Sequence, residues 1–372
     1  MLTGAAGDRP LAVLGAGAQE ARELPGVHGA KDPICAVRPL GAPCRFLGEG
    51  VAMSCLRRPY RSLVVTGAVL AAVLMAATAL AEVTPRAVIA GKGLQGFAFA
   101  NDANIVWTSN TPARPKHHDA YAIPRSGGSK VKLNAAGTQG FTGGFDPTTN
   151  TVIYQQIENG RSDIYWFDLD TSTRSSVPGV NSKRWEWSPR VSTSNILFER
   201  DYRRNGTWYT SVYLFDRATS STRLLDTWTS RKHFVQTGNL GEAYATWSVC
   251  TAKTCFAYLY TIASQTMQRI PTKNKRPQYS PALDEANGRV YFVRSGVACG
   301  AGVTIFRVPA DNLSATPTKI LALPTGIDVE YVMSLAPNAN GTDRDLLFER
   351  VICEPYESDV YQADAVNTVP DA

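Results

Sequence analysis

Metal chemistry in this chain would draw on few residues. Three of the four histidines stand in two places, His117-His118-Asp119 and His233. Adjacent residues on a strand point to opposite faces, so His117 and His118 do not readily share one ion. A lone His233 reads as structural. Acid–base chemistry would fall to Glu186, in the basic and aromatic run Lys183-Arg184-Trp185-Glu186-Trp187, and to Asp328 and Glu330 in Asp328-Val329-Glu330-Tyr331. Ligand recognition would suit Arg184, Trp185 and Arg276; each arginine stands five residues before a proline. The sequence holds no G-x-S-x-G elbow, H-E-x-x-H pair or phosphate loop. No catalytic residue, metal or cofactor is therefore assigned.

The cysteines carry a different chemistry. Cys250 and Cys255 flank Thr251-Ala252-Lys253-Thr254, so a hairpin would bring their sulfurs together. Cys299 and Cys353 occupy equivalent connections in later repeats and are expected to staple neighbouring units. Both disulfides suit an exported chain. A four-cysteine zinc site would need paired C-x-x-C knuckles, which the spacing lacks.

The elements that position these residues recur. Tyr121, Tyr165, Tyr213, Tyr258, Phe306 and Tyr361 follow one another at spacings of 44 to 55 residues, each in a short β-forming run. A second run precedes each by 11 to 15 residues and centres on Trp107, Tyr154, Phe198, Trp247, Phe292 and Phe348. Four-stranded units at this period predict an all-β, six-bladed propeller. Phe145-Asp146-Pro147, Trp187-Ser188-Pro189, Tyr279-Ser280-Pro281 and Leu335-Ala336-Pro337 are read as one register, with proline turning the chain out of the innermost strand. Asp119, Asp163 and Asp359 share a register that suggests a turn role. Outer strands are expected at 130–133, 174–177, 222–225, 267–270 and 318–321. The sixth unit lacks one, and Arg86-Ala87-Val88-Ile89 is expected to complete that blade and close the ring.

Residues 53–81 resemble a bacterial secretory signal: Arg57, Arg58 and Arg61, then an uncharged run from Ser62 to Leu80, then Ala79-Leu80-Ala81. Cleavage would leave one domain, 82–372, outside the cytoplasm; an uncleaved run would be a membrane anchor. Residues 1–52 are rich in Gly, Ala, Pro and Arg, and are read as an untranslated or disordered extension. Gly48-Glu49-Gly50 would be encoded by purine-rich codons just ahead of Met53, the expected start.

The first 81 residues hold eight of the 38 basic and five of the 32 acidic residues, so residues 82–372 carry a net charge of +3. That charge, without basic runs among aromatics, predicts no nucleic-acid partner. Asn205-Gly206-Thr207, Asn312-Leu313-Ser314 and Asn340-Gly341-Thr342 mark loops.

Gly160-Arg161-Ser162-Asp163-Ile164-Tyr165, the two Ser-Pro pairs and Ser358-Asp359-Val360-Tyr361 together resemble the TolB-type, or WD40-like, propeller repeat. The resemblance spans about 83–364. Arg190-Val191 and Ala282-Leu283 stand where that repeat has Asp-Gly after Ser-Pro. It implies an exported interaction module, here the propeller alone. In a four-stranded meander, the loops joining second to third strands share a face with those joining the blades. Arg184, Trp185, Glu186, His233, Arg276, Asp328 and Glu330 would converge there. The expected partner is a protein or cell-envelope ligand, bound by a monomer. The alternatives are a stand-alone glycan- or peptide-cleaving propeller using those carboxylates, or a structural envelope protein with a plugged funnel.

Overall fold

The computed structural model describes residues 83–272, 276–296, 301–337, 344–353, 357–364 and 366–369, with backbone alone at 330–332 and 367. Strand β1 (Arg86–Ile89) is followed by six sets of strands. Blade 1 holds β2 (Gln95–Ala100), β3 (Asn104–Thr111), β4 (Arg114–Pro124) and β5 (Val131–Lys132). Blade 2 holds β6 (Gln139–Phe145), β7 (Thr151–Glu158), β8 (Arg161–Asp168) and β9 (Thr173–Ser176). Blade 3 is built from β10 (Trp185–Val191), β11 (Asn195–Arg204), β12 (Thr207–Asp216) and β13 (Ser221–Thr229). Blade 4 is built from β14 (Phe234–Leu240), β15 (Tyr244–Cys250), β16 (Cys255–Thr261) and β17 (Thr266–Arg269). Blade 5 follows with β18 (Gln278–Asp284), β19 (Arg289–Arg294), β20 (Thr304–Pro309) and β21 (Thr318–Ala322). In blade 6, β22 (Ile327–Pro337), β23 (Arg344–Ile352) and β24 (Glu357–Ala363) are joined by β1, which pairs antiparallel with β24. The fold is an all-β, six-bladed propeller.

Each blade is centred on one cross-strand aromatic pair. The two aromatic series in the sequence face each other: Trp107–Tyr121, Tyr154–Tyr165, Phe198–Tyr213, Trp247–Tyr258, Phe292–Phe306 and Phe348–Tyr361. Their ring centroids lie 5.5 to 6.2 Å apart, and the second-strand ring is buried in every blade. Such pairs add about 0.5–1.5 kcal/mol each beyond area burial.

The innermost strands depart from the expected turns. Ser188-Pro189 and Ser280-Pro281 lie inside β10 and β18, at a register shift, not at the exit. All six innermost strands shift at the corresponding place. A bulge leaves a residue unpaired, and proline on the edge strand facing the axis withholds no ladder donor. Phe97, Ser188 and Ser280 have φ of 50°, 46° and 49°, the left-handed backbone that the bulge imposes. Pro147 does follow β6, where Asp146 caps the turn at the Thr148 N–H (2.9 Å), and Pro337 ends β22. The four prolines therefore belong to two registers. Asp119, Asp163 and Asp359 also depart from the turn role, because they sit within β4, β8 and β24. Asp119 holds Lys132 of the outer strand at 2.6 Å.

Blades are joined by a repeated polar contact. In blades 1 to 3 the side chain after the second-strand aromatic accepts a backbone N–H from the next innermost strand. Thr108 takes Thr142 (3.0 Å), Gln155 takes Ser188 (3.1 Å) and Glu199 takes Thr237 (2.8 Å). Two side chains reach past the neighbouring blade to the one beyond it. Arg190 of blade 3 donates to the carbonyls of Pro189, Thr237 and Gly238, and its guanidinium lies 4.8 Å from the Phe99 ring of blade 1. Asn239 of blade 4 donates to the Met333 carbonyl of blade 6 at 3.1 Å.

Cys250 and Cys255 form the expected hairpin disulfide. Cys353 is disulfide-bonded, and Cys299 lies outside the described residues. So do residues 1–81, with both boundaries expected there.

Candidate functional site

On the face carrying the second-to-third-strand hairpins and the inter-blade loops, blade 3 presents a group of aromatic side chains. Strands β11 and β12, ten residues each, project as a ladder that pairs Tyr202 with Tyr209 and Arg203 with Trp208. Asn205 and Gly206, with φ of 49° and 78°, form the two-residue turn that favours such a hairpin. The rings of Tyr202 and Tyr209 stack at 5.6 Å, and the exposed Arg184 guanidinium lies 4.6 Å from Tyr202. Trp185, entering β10, stacks on Trp208 at 5.2 Å with 15° between planes. Trp187 meets Trp185 edge-on at 6.3 Å. All five rings are half-buried. The result is a two-sided aromatic shelf: Tyr202 and Tyr209 with the Arg184 cation lie on one face of the ladder, and Trp185, Trp187 and Trp208 lie on the other.

The other expected ligand residues divide. Glu186 is fully buried; its carboxylate accepts Arg200 Nε at 2.8 Å and Ser182 Oγ at 2.6 Å. Burial raises its pKa against those two partners. It holds blade 3 together and does not face outward. Asp328 is buried too, accepting the Tyr279 hydroxyl and its neighbour's N–H, both at 2.7 Å. Glu330 pairs through its backbone with Glu349; its side chain lies outside the described residues. His233 is half-buried, with Nδ1 3.2 Å from the Thr229 carbonyl. Arg276 is exposed at the entrance to blade 5. The structure thus brings both Arg184 and Trp185 to the blade 3 hairpin, on opposite faces of its ladder. It commits Glu186 and Asp328 to internal donors in separate blades.

His117 Nε2 lies 3.2 Å from Asp119 Oδ1, while the His118 ring packs on Phe141 at 4.9 Å. Burial, and after it the charge of His117, lowers the His118 pKa against the pull of Gln139 and Asp119. Among the described residues no group of three potential ligands can hold a metal.

Several buried charges went unread in the sequence. Burial raises the pKa of Glu199 and Glu349 to about 8, and that of Asp201 to about 6. Glu349 accepts Ser358 Oγ at 2.7 Å, and Asp201 accepts Thr210 Oγ1 at 2.6 Å. Burial brings Arg190 down to about 9, so it stays charged at neutral pH. On the opposite face, the inner turns surround a cavity of about 250 Å³ lined by Phe145, Pro147, Leu240, Glu242 and Glu285. Its carboxylates are occupied as caps. Glu242 takes the Thr193 N–H at 2.5 Å, and Glu285 takes those of Glu242 and Ala243 at 2.7 and 2.5 Å.

No protein-family model matches the chain, and no curated protein does. Similar solved structures include TolB from Acinetobacter baumannii, at 14% identity and a TM-score of 0.46, covering 71% of this chain and 64% of that one. An oligogalacturonate lyase in complex with manganese is 9% identical, with a TM-score of 0.46 and coverage of 75% and 90%. One of two structurally and mechanistically analysed prolyl endopeptidases is 12% identical, with a TM-score of 0.48 and coverage of 75% and 42%. At these identities the likeness is one of fold.

Proposed function

We propose that this chain is an exported, non-catalytic binding module that takes a protein or cell-envelope ligand on its hairpin face. The observation that carries the reading is the shelf on blade 3. Trp, Tyr and Arg are the residue types that concentrate binding energy at protein interfaces. Here Arg184, Trp185, Tyr202, Trp208 and Tyr209 are already stacked, so little ordering entropy remains to be lost on binding. The carboxylates weighed for acid–base chemistry, Glu186 and Asp328, are held by internal donors.

The test is capture of ligand from native secretome and envelope by the immobilised protein, beside Arg184→Ala with Arg276→Ala and, separately, Tyr202→Ala with Trp208→Ala. A bound species lost in both variants supports the site. A species retained by both would place binding elsewhere. Turnover of a glycan or peptide by the unaltered protein would replace this reading with the enzymatic one.

A further inference from the structure

Arg200, Arg294 and Arg350 occupy one repeat position, two residues after the buried aromatics Phe198, Phe292 and Phe348. Each guanidinium lies over an aromatic pair of its own blade. Arg200 is 5.1 and 4.9 Å from Phe198 and Tyr213, Arg294 is 5.6 and 4.6 Å from Phe292 and Phe306, and Arg350 is 4.6 Å from Tyr361.

Their hydrogen bonding differs. Arg200 uses Nε on Glu186 and Nη2 on the Val180 carbonyl at 2.7 Å. Arg350 donates Nη1 to the Tyr361 hydroxyl at 2.6 Å. Arg294 is 8% exposed, and the same two atoms that Arg200 satisfies, Nε and Nη2, are buried without a partner.

The cause lies in one substitution within the repeat. Glu186 stands opposite Arg200 across the β10–β11 ladder; Gln278 stands opposite Arg294 across β18–β19. Gln278 is fully buried, donates Nε2 to the Pro271 carbonyl at 3.1 Å, and leaves Oε1 without a partner. Blade 5 therefore has the cation without the carboxylate that faces it in blade 3. Arg276 adds a second positive charge beside it, which together with burial lowers the Arg294 pKa. An unpaired buried guanidinium is costly. Its Nε–Nη2 edge is the one that binds carboxylate or sulfate oxygens in bidentate fashion.

We propose that Arg294, with Arg276 nearby, binds a small oxyanion through the Nε–Nη2 edge whose counterpart in blade 3 is met by Glu186 and the Val180 carbonyl. The site is independent of the shelf on blade 3 and stands whether or not that shelf binds anything.

The experiment follows thermal unfolding, and the Nε–H resonance of Arg294, in the full chain during titration with sodium acetate and with sodium sulfate. Sodium chloride at matched ionic strength is the reference. Wild type is expected to gain stability over chloride and to show a saturable Arg294 shift. A larger saturable Arg294 shift with acetate identifies a carboxylate ligand and a larger one with sulfate a tetrahedral one, since sulfate also stabilises proteins by surface exclusion. Gln278→Glu supplies the missing carboxylate from within. It should raise the anion-free melting temperature and weaken apparent anion affinity tenfold or more, the scale of one charge-assisted hydrogen bond. Arg294→Lys should weaken it similarly. Equal behaviour of wild type in all three salts, or an anion response unchanged in Gln278→Glu, would overturn the proposal.

Discussion

Glu199 of blade 3 accepts the backbone N–H of Thr237 of blade 4 at 2.8 Å, and it does so fully buried, with its pKa raised to about 8. The folded protein therefore holds a proton that the unfolded chain releases above the ordinary value of 4.5. Glu349, also raised to about 8, acts in the same direction. Stability from these groups is complete below pH 4.5 and declines as pH climbs to 8. Glu199→Gln keeps the acceptor and removes the titration. It should match wild type at pH 5 and exceed it by roughly 2–3 kcal/mol at pH 8.5 in denaturant unfolding. Parallel pH profiles for the two proteins would refute the assignment.

The approach of neighbouring innermost strands leaves no room for a side chain at two glycines. A Cβ on Gly143 would lie 2.4 Å from the Pro189 carbonyl oxygen, and one on Gly238 would lie 2.3 Å from that of Pro281. Both obstacles are backbone. Gly143→Ala and Gly238→Ala should each lower stability by about 2–3 kcal/mol, read as a fall in urea midpoint without a change in slope.

The Glu186–Arg200 pair is buried on both sides, with side-chain exposures of 0% and 13%. Removing one partner strands the other, so Glu186→Ala should cost about 3–5 kcal/mol. Arg184→Ala, two residues earlier and exposed, should leave the melting temperature within error. Similar losses in the two variants would show that Arg184 is structural.

The Cys250–Cys255 bridge closes a six-residue loop. Loop-closure entropy for so short a loop is worth about 2 kcal/mol. Cys255→Ser should lose that amount, and reductant should then produce no further loss from this hairpin.

Much of the architecture was legible because each blade buries one large ring on its second strand and lays a second, half-buried ring against it. Trp107 through Phe348 and Tyr121 through Tyr361 announce themselves by type and spacing. The bulges were not, since Ser188-Pro189 and Ser280-Pro281 resemble ordinary turns and only pairing reveals the extra residue. The inter-blade acceptors Thr108, Gln155 and Glu199 share no residue type, because the role needs a single acceptor atom. Of the candidate site, Arg184 and Trp185 were visible from the repeat register. Tyr202, Trp208 and Tyr209 had a signal in the alternation around Asn205-Gly206, which was read only as a loop. The empty edge of Arg294 could not be seen without knowing that Gln278 stands where blade 3 has Glu186.

The blade-to-blade amide contacts also bear on how this molecule comes apart. In a linear array of repeats, an end unit can fray while its neighbours persist. Here Thr142, Ser188 and Thr237 each place a buried N–H on the preceding blade. Detaching one blade orphans a donor in the next, and Arg190 ties blade 3 to both blade 4 and blade 1. The loss of any one blade is thus a loss felt around the ring, and partial forms should be short-lived on the way to the unfolded chain.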